Sequence, residues 1–507
     1  MLKNKIIRNL LTVLIFAAIA AGLVARFTLF SMSFEYDELF TAVTTDPSLS
    51  LGWIWVNWLV PDVHPPLYNV LMWLYNHCAP YGPELWLRLP SALFGVGAVA
   101  CGWFCFPKRF GKTARLIFVA LLACHQYMIL YSQQARAYAW ILLLCVPLTF
   151  WFLTMSRQIW RRKEITRRQW VQFGLLSLLL AWSHYFGTLL VGIFYGLLWW
   201  QAWRYKRPLK MFVLVPVVVG LLFLPWIIPN FLAQVQQHRF TGDNWWANRT
   251  VSWYMAGVFL RFFSFSTVGH CALGVLVAGI LWVYGRRIKK GLPCAFGREI
   301  GLLGAVLILL TAIVGLISLK LYFFIGRYFT VILPALFLLT ALLTSPMIRR
   351  NNGWRLALLV FLAAEVVSFG MQYKTFRHPT TLPARLTSQF YRDFFRGREM
   401  MVAAVEAFPP QSMPAMYGFY VNKVYGLNTR VTELVHLGAP EREAALERHR
   451  GAFVFMPNCE EWKLLEISKR WGRKIDVYGN LGTTCLIGFQ AAGSYDGTPQ
   501  QAPSAAK

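Results

Sequence analysis

The chain has 507 residues, 57% of them hydrophobic, and a formal net charge of +28. Apolar runs of about 17 to 22 residues recur through the first 370 positions, long enough to cross a bilayer as helices, so a water-soluble globular chain is excluded. The bases recur in short clusters between those runs, in no stripe or basic domain, which excludes a nucleic-acid interface as the reason for the charge.

Eleven spans are predicted, at about 7–29, 86–106, 114–131, 136–155, 170–184, 187–203, 210–229, 264–285, 299–319, 328–347 and 355–372. Placing the N-terminus in the cytoplasm puts 25 of the 33 Lys and Arg before residue 371 on the inner side, among them Arg157, Arg161, Arg162, Arg286 and Arg287. That is the positive-inside bias. The expected location is therefore the plasma (inner) membrane, multi-pass, with a cytoplasmic N-terminus. Ala18-Ile19-Ala20 resembles a signal-peptidase site; cleavage there would leave the later topology unchanged.

After the first span comes Glu35-Tyr36-Asp37-Glu38, three of the ten acids in the first 370 residues. Lipid-embedded chains rarely gather acids without a task. Asp37 is the candidate general base and Glu38 is grouped with it as a catalytic candidate in a supporting or structural role; a solvated loop is the bland alternative. His64-Pro65-Pro66 follows, with both prolines fixing the chain direction, and then an apolar stretch from Leu67 too short to span. It is read as an amphipathic or re-entrant helix at the outer interface.

Arg88, in Leu87-Arg88-Leu89-Pro90, and Arg136, in Gln134-Ala135-Arg136-Ala137-Tyr138, stand at outer helix ends, where snorkelling alone could account for each. His184-Tyr185-Phe186-Gly187 marks a tight outer turn whose histidine is open to a structural or a functional role. Arg327-Tyr328 sits among aromatic and apolar residues at the outer boundary, where a guanidinium needs an anion, and a lipid phosphate is the preferred one. Glu365, near the middle of the last span, is expected to face the bundle interior and pair with a base or an amide. The outer loop of about 230–263, with Gln234, Gln236, Gln237, His238, Arg239, Asp243, Asn244, Trp245 and Trp246, suits sugar stacking and an interfacial belt equally.

From about residue 376 the apolar runs stop. Residues 376–490 are expected to form a soluble extracytoplasmic α/β domain, with strands at 451–457 and 484–490 and helices at 438–450 and 459–472, followed by a disordered tail, 491–507. Residues 1–375 form the transmembrane domain, with an outer acidic loop at 30–85. Cys459 and Cys485 could form a disulfide in an oxidising compartment or remain buried thiols. No zinc-type spacing is present.

The ordered set Asp37-Glu38, His64-Pro65-Pro66-Leu67-Tyr68, Arg88-Leu89-Pro90-Ser91, Gln134-Ala135-Arg136-Ala137-Tyr138, His184-Tyr185-Phe186-Gly187 and Arg327-Tyr328 followed by Pro334 resembles the glycosyltransferase family 39 group of the GT-C class. That group includes protein O-mannosyltransferases and the lipid A aminoarabinose transferase. The resemblance covers roughly residues 7–347. It implies an α-helical polytopic membrane enzyme that takes a sugar from a polyprenyl-phosphate carrier at the outer face and passes it to a hydroxyl or phosphate on a lipid, glycan or protein, usually with inversion.

Under that resemblance Asp37 matches the base. His64, Arg88, Gln134, Arg136, Tyr138, His184, Arg327 and Tyr328 become substrate-binding candidates, with Arg327 as the main charge for the leaving phosphate and Arg136 and Arg88 as helpers. Some relatives carry an acid in the second outer loop, where this chain has Gln133 and Gln134. No cofactor is therefore expected, and turnover is expected to be independent of divalent metal. The competing class is a polyprenyl-linked sugar flippase without covalent chemistry. Transporters tend to show repeated halves and midplane charges, and here the polar candidates gather at one outer level with no internal repeat.

Overall fold

The structure is a computed structural model, and it describes residues 2–80, 82, 84–236, 257, 261–264, 266–290, 296–319, 325–377, 384–395, 399–403, 412–448, 454–456, 461–481, 484–491 and 493–495. The first eleven helices are α1 (Leu2–Val24), α2 (Tyr36–Thr44), α3 (Leu51–Ile54), α4 (Leu67–Asn76), α5 (Glu84–Phe104), α6 (Gly111–Cys124), α7 (Gln126–Tyr131), α8 (Tyr138–Trp160), α9 (Arg167–Ala181), α10 (Tyr185–Arg204) and α11 (Lys210–Gln236). They are followed by α12 (Thr267–Lys289), α13 (Gly297–Ser318), α14 (Leu333–Arg350) and α15 (Asn352–Arg377). Among the described residues nine helical stretches are long and apolar enough to cross a membrane: α1, α5, α8, α10 to α13, α14 with its 3-10 entry turn, and α15. The chain is a multi-pass membrane protein.

The other two expected spans are shorter helices. One is α9, whose start is fixed by a capping box: Thr166 Oγ1 accepts from Gln169 N at 3.3 Å, and Gln169 Oε1 accepts from Thr166 N at 2.8 Å. The other, expected at 114–131, is broken into α6 and α7, because His125 takes an extended backbone with φ −63° and ψ 122°. Distant side chains satisfy the freed backbone groups. Arg26 donates to Leu122 O at 2.7 Å and to Ala123 O at 2.6 Å, while Glu365, fully buried as expected, accepts from Gln126 N and Gln126 Nε2 at 3.3 Å each.

The span expected at 210–229 runs on to Gln236 in spite of Pro216, Pro225 and Pro229 inside the helix. Proline cost is tolerated in spanning helices when neighbours re-satisfy the backbone. The stretch from Leu67, expected to be too short to span, is the 10-residue helix α4.

Two compact units divide the chain. The first contains 1–29, 51–71 and 88–372. Its core is built where α6 packs on α1 and α14, and α8 on α9 and α10. Rings of Phe106, Phe118 and Phe150 interlock there at centroid distances of 5.3–5.6 Å, and Phe152 stacks on Phe194 at 4.3 Å. By contrast α1, α11, α12 and α13 keep only 22% of their most apolar stretch buried, the surface expected of helices solvated by lipid.

The second unit gathers 30–50 and 72–87 with 373–507. Its sheet has the order β2-β1-β3-β5-β4, with β1 Met400–Val402, β2 Val431–Glu433, β3 Val454–Met456, β4 Ile475–Leu481 and β5 Thr484–Phe489. Strand β1 is parallel to β2 and β3, while β5 is antiparallel to β3 and β4. Helices α16 (Ala384–Phe394), α17 (Ser412–Gly418), α18 (Ala439–Arg448) and α19 (Glu461–Trp471) complete the unit. Ala445, Leu464 and Ile467 of α18 and α19 are buried in one core with Val454 and Ile487 of the sheet. Cys485 is disulfide-bonded; Cys459, the partner considered from sequence, lies outside the described residues.

Candidate functional site

In the first unit, three turns that are distant in sequence converge. Residues 60–66 carry Asp62 and His64; the turn before α8 carries Arg136; the turn between α9 and α10 carries His184. Each turn is tied down. Leu67 N donates to Trp182 O at 3.0 Å, which joins the start of α4 to the α9–α10 turn. Tyr68 and Ser91 share a hydroxyl bond of 2.8 Å, and Ser91 Oγ donates to Arg136 O at 3.3 Å.

From α11, Asn230 Nδ2 donates to Val60 O at 2.8 Å and to Asp62 O at 2.6 Å; one turn on, Gln234 Nε2 donates to Pro61 O at 2.9 Å and to Asp62 O at 3.0 Å. Gln234, expected in an outer loop suited to sugar stacking, is instead a structural strap on the last turn of α11. The rest of that loop from Gln237 to Trp246 lies outside the described residues.

These straps bring His64 and His184 to a ring distance of 5.6 Å, with Tyr328 at 6.1 Å from His64 and 5.0 Å from His184. Tyr138 lies 6.3 Å from His184, and the Arg327 guanidinium is 5.9 Å from the Tyr328 ring. Asp62 Oδ2 is 3.4 Å from His64 Nδ1. Burial raises the Asp62 carboxyl, but His64, Arg136 and the Val63 backbone outweigh it and hold Asp62 below the usual carboxylate range. One anion thus stands among two imidazoles and the charges of Arg136 and Arg327, both of which His184 feels.

His184 is the informative member. It caps α10: its Nδ1 accepts from Phe186 N at 3.1 Å, which assigns the neutral ring's proton to Nε2. Burial first, and then the neighbouring His64, Arg136 and Arg327, hold it well below the usual histidine range, so it stays neutral at physiological pH. Its ring is buried, and Nε2 has no hydrogen-bond partner among the described residues. A buried donor without an acceptor is costly unless a ligand or water supplies one. The cavity here, lined by Asp62, His64, Tyr68, Asn69, Arg136 and Tyr138, measures about 20 Å³. That admits one oxygen-sized group and no sugar ring.

A larger apolar groove of about 570 Å³ opens from Tyr185, the residue after His184, along Leu189, Gly192 and Ile193 of α10, Phe223 and Ile227 of α11, and Ile313 of α13. Elsewhere in this unit, polar side chains and turns bond to backbone. Arg88 Nη1 donates to Leu29 O at 2.9 Å, while Gln133 Oε1 accepts from Leu29 N at 2.7 Å, so both grip the backbone at the end of the first span. Gln134 is half-buried, and its carbonyl accepts from Arg136 N at 2.7 Å.

Sequence reasoning missed Asp62, whose signal was a lone acid two residues before His64. It also missed Arg26, whose buried guanidinium is spent on carbonyls. Among the described residues no group of three or more His, Cys, Asp or Glu side chains is placed to hold a metal ion.

In the second unit, α2 presents Asp37 in its first turn, half-buried. Glu38 closes a capping box with Glu35: its Oε2 accepts from Glu35 N at 3.1 Å, and it is buried. That gives Glu38 a structural duty at the helix start and leaves Asp37 as the chemical candidate of the pair.

No family model matches the chain, and no curated protein matches it by sequence. Solved structures do. The ArnT protein of Cupriavidus metallidurans, in its apo state and bound to undecaprenyl phosphate, aligns in both forms with a TM-score of 0.57 at 13% identity, over 93% of this chain and 97% of that one. The archaeal oligosaccharyltransferase AglB of Archaeoglobus fulgidus, in complex with an inhibitory peptide and a dolichol-phosphate, aligns at a TM-score of 0.48 and 13% identity, over 94% of this chain and 74% of that one. Over nearly its whole length, this chain has the GT-C fold of ArnT.

Proposed function

We propose that the chain is an integral-membrane glycosyltransferase that moves a sugar from a polyprenyl-phosphate carrier to an acceptor hydroxyl or phosphate at the outer face of the membrane. The unpartnered, buried Nε2–H of His184 among Arg136, Arg327 and His64 carries this reading. A neutral donor flanked by guanidinium groups suits a phosphate oxygen, and the apolar groove beginning at Tyr185 suits an isoprenoid chain. The ArnT structure with undecaprenyl phosphate has the same fold, which supports a carrier of that chemical kind.

In the proposed reaction the acceptor oxygen attacks the anomeric carbon and gives its proton to the Asp37 carboxylate. The bond from that carbon to the phosphate oxygen breaks, and its electron pair leaves on the polyprenyl phosphate, where the basic cluster stabilises it. Attack opposite the leaving group inverts the anomeric centre. Arg327 and Arg136 are assigned to the phosphate and His184 to one of its oxygens. Turnover is proposed to need no divalent metal; loss of activity on chelation, restored by a divalent ion, would overturn that part.

Purified protein given a radiolabelled polyprenyl-phosphate sugar and a mixture of envelope acceptors tests the reading. Label leaving the carrier for an acceptor is the expected result. Movement of intact carrier across vesicles with no cleavage would make the protein a flippase instead.

A further inference from the structure

We infer that the π-helical turn Phe419–Val424 of the C-terminal region is the positioning element for Asp37, holding helix α2 at both ends. The inference rests on the reading of Asp37 as the base. At the entry to α2, Phe34 is fully buried, and its N–H donates to Tyr420 Oη at 2.9 Å. Its ring meets Phe419 at 5.9 Å and Tyr420 at 6.2 Å. At the exit, Asp46 Oδ2 pairs with Lys423 Nζ at 2.9 Å, and Lys423 also donates to Ser48 Oγ at 3.1 Å.

Asp46 is braced from the other side, since its Oδ1 accepts from Ser48 N at 2.8 Å and from Ser48 Oγ at 2.7 Å. Two residues three apart on one turn, Tyr420 and Lys423, therefore fix the residues before and after the nine-residue α2. Neither contact involves Asp37 itself; together they set the axis of the helix that carries it.

Tyr420 is itself held in place. Its buried hydroxyl donates to Glu84 Oε1 at 2.8 Å, and Glu84 is paired with Arg385, whose Nε lies 2.8 Å from the same oxygen. Arg385 Nη1 reaches back to Ser31 O at 3.1 Å. The hydroxyl thus donates in one direction and accepts in the other, so its orientation is determined. A π-helical turn is less stable than an α-helical one and tends to be kept where it aims side chains. Here it aims two of them at the two ends of the acidic helix. A proton-abstracting carboxylate displaced by about 1 Å loses on the order of 100-fold in rate, so such bracing belongs to the chemistry.

The test is Tyr420→Phe combined with Lys423→Met in the full-length protein, assayed for transfer. The expected result is a kcat lowered about 10- to 100-fold with the donor KM within about 2-fold, and recovery of most of the rate when position 423 carries Arg instead of Met. In an Asp37→Asn background the same pair should lower the residual rate less than 2-fold, because the group being positioned is gone. Wild-type kcat in the pair, in a protein that Asp37→Asn does inactivate, would overturn the inference and leave the base standing. Wild-type kcat in Asp37→Asn alone would instead overturn the base. A variant that fails to fold is replaced by Lys423→Met alone, for which the same split of kcat against KM is required and an unchanged kcat refutes.

Discussion

Replacing Asn230 with Leu should loosen the Asp62–His64 turn without removing any group from the basic cluster. Asn230 is 2% exposed; its Nδ2 serves the Val60 and Asp62 carbonyls, and its Oδ1 accepts from the Tyr185 hydroxyl. Leu fills much the same volume and makes none of these bonds. Intramembrane side-chain bonds average about 0.6 kcal/mol, so three set a floor of roughly 2 kcal/mol. Stranding a buried carbonyl and a hydroxyl at about 1–3 kcal/mol each sets a ceiling of roughly 6 kcal/mol. Gln234 still covers the Asp62 carbonyl, so a loss of about 3 kcal/mol is expected.

Thermal unfolding of the detergent-solubilised variant reads that loss, and titration with undecaprenyl phosphate reads the site. The expected outcome is a lowered Tm together with at least about 10-fold weaker binding, the equivalent of roughly 1.4 kcal/mol at the cluster. Gln234→Leu should cost less, because Asn230 still holds the same turn. A stability change under about 0.5 kcal/mol with unchanged binding would refute the strap.

Burial lifts the Glu433 carboxyl at the end of β2 to about 7. The folded unit therefore binds its proton more tightly than the unfolded chain, and the stabilisation is present below about 4.5 and lost as pH rises through about 7. The loss amounts to about 3 kcal/mol. Glu433→Gln should melt higher than wild type at pH 8 and show a flatter pH dependence in thermal melts; equal melting at pH 8 would contradict this. Gly22→Val should prevent α1 from seating on α6, because any Cβ at Gly22 would collide with the Ala123 carbonyl that Arg26 also grips. Severe loss of folded protein on size-exclusion chromatography is expected, and wild-type yield and Tm would contradict the close approach.

Most of the spans could be read from hydropathy, because lipid solvation demands long apolar helices whatever their neighbours. The break at His125 could not. Its causes, Arg26 and Glu365, lie 99 residues before and 240 residues after it in the chain. The extension of α11 past Pro229 was hidden for a similar reason, since proline signals a stop and only the tie from Asn230 and Gln234 to residues 60–62 shows why the helix continues.

At the site, His64, Arg136, His184 and Arg327 were legible as polar residues out of keeping with their apolar surroundings. Asp62 was not, because a single acid in a polar turn carries no pattern. Arg88 stood out by type, and its bond to the Leu29 carbonyl is a contact only the tertiary structure reveals. In the C-terminal region α18, α19, β3 and β5 follow their periodicity. The strands β1 and β2, of three residues each, are too short to show one.

The most direct measurement is transfer kinetics for Asp37→Asn and Arg327→Ala side by side, with undecaprenyl phosphate binding measured on each. Asp37→Asn should lower kcat on the order of 100- to 10,000-fold and leave carrier binding intact, as removal of a general base requires. Arg327→Ala should weaken carrier binding and donor use. Full turnover in Asp37→Asn, or undiminished carrier binding in Arg327→Ala, would contradict the account.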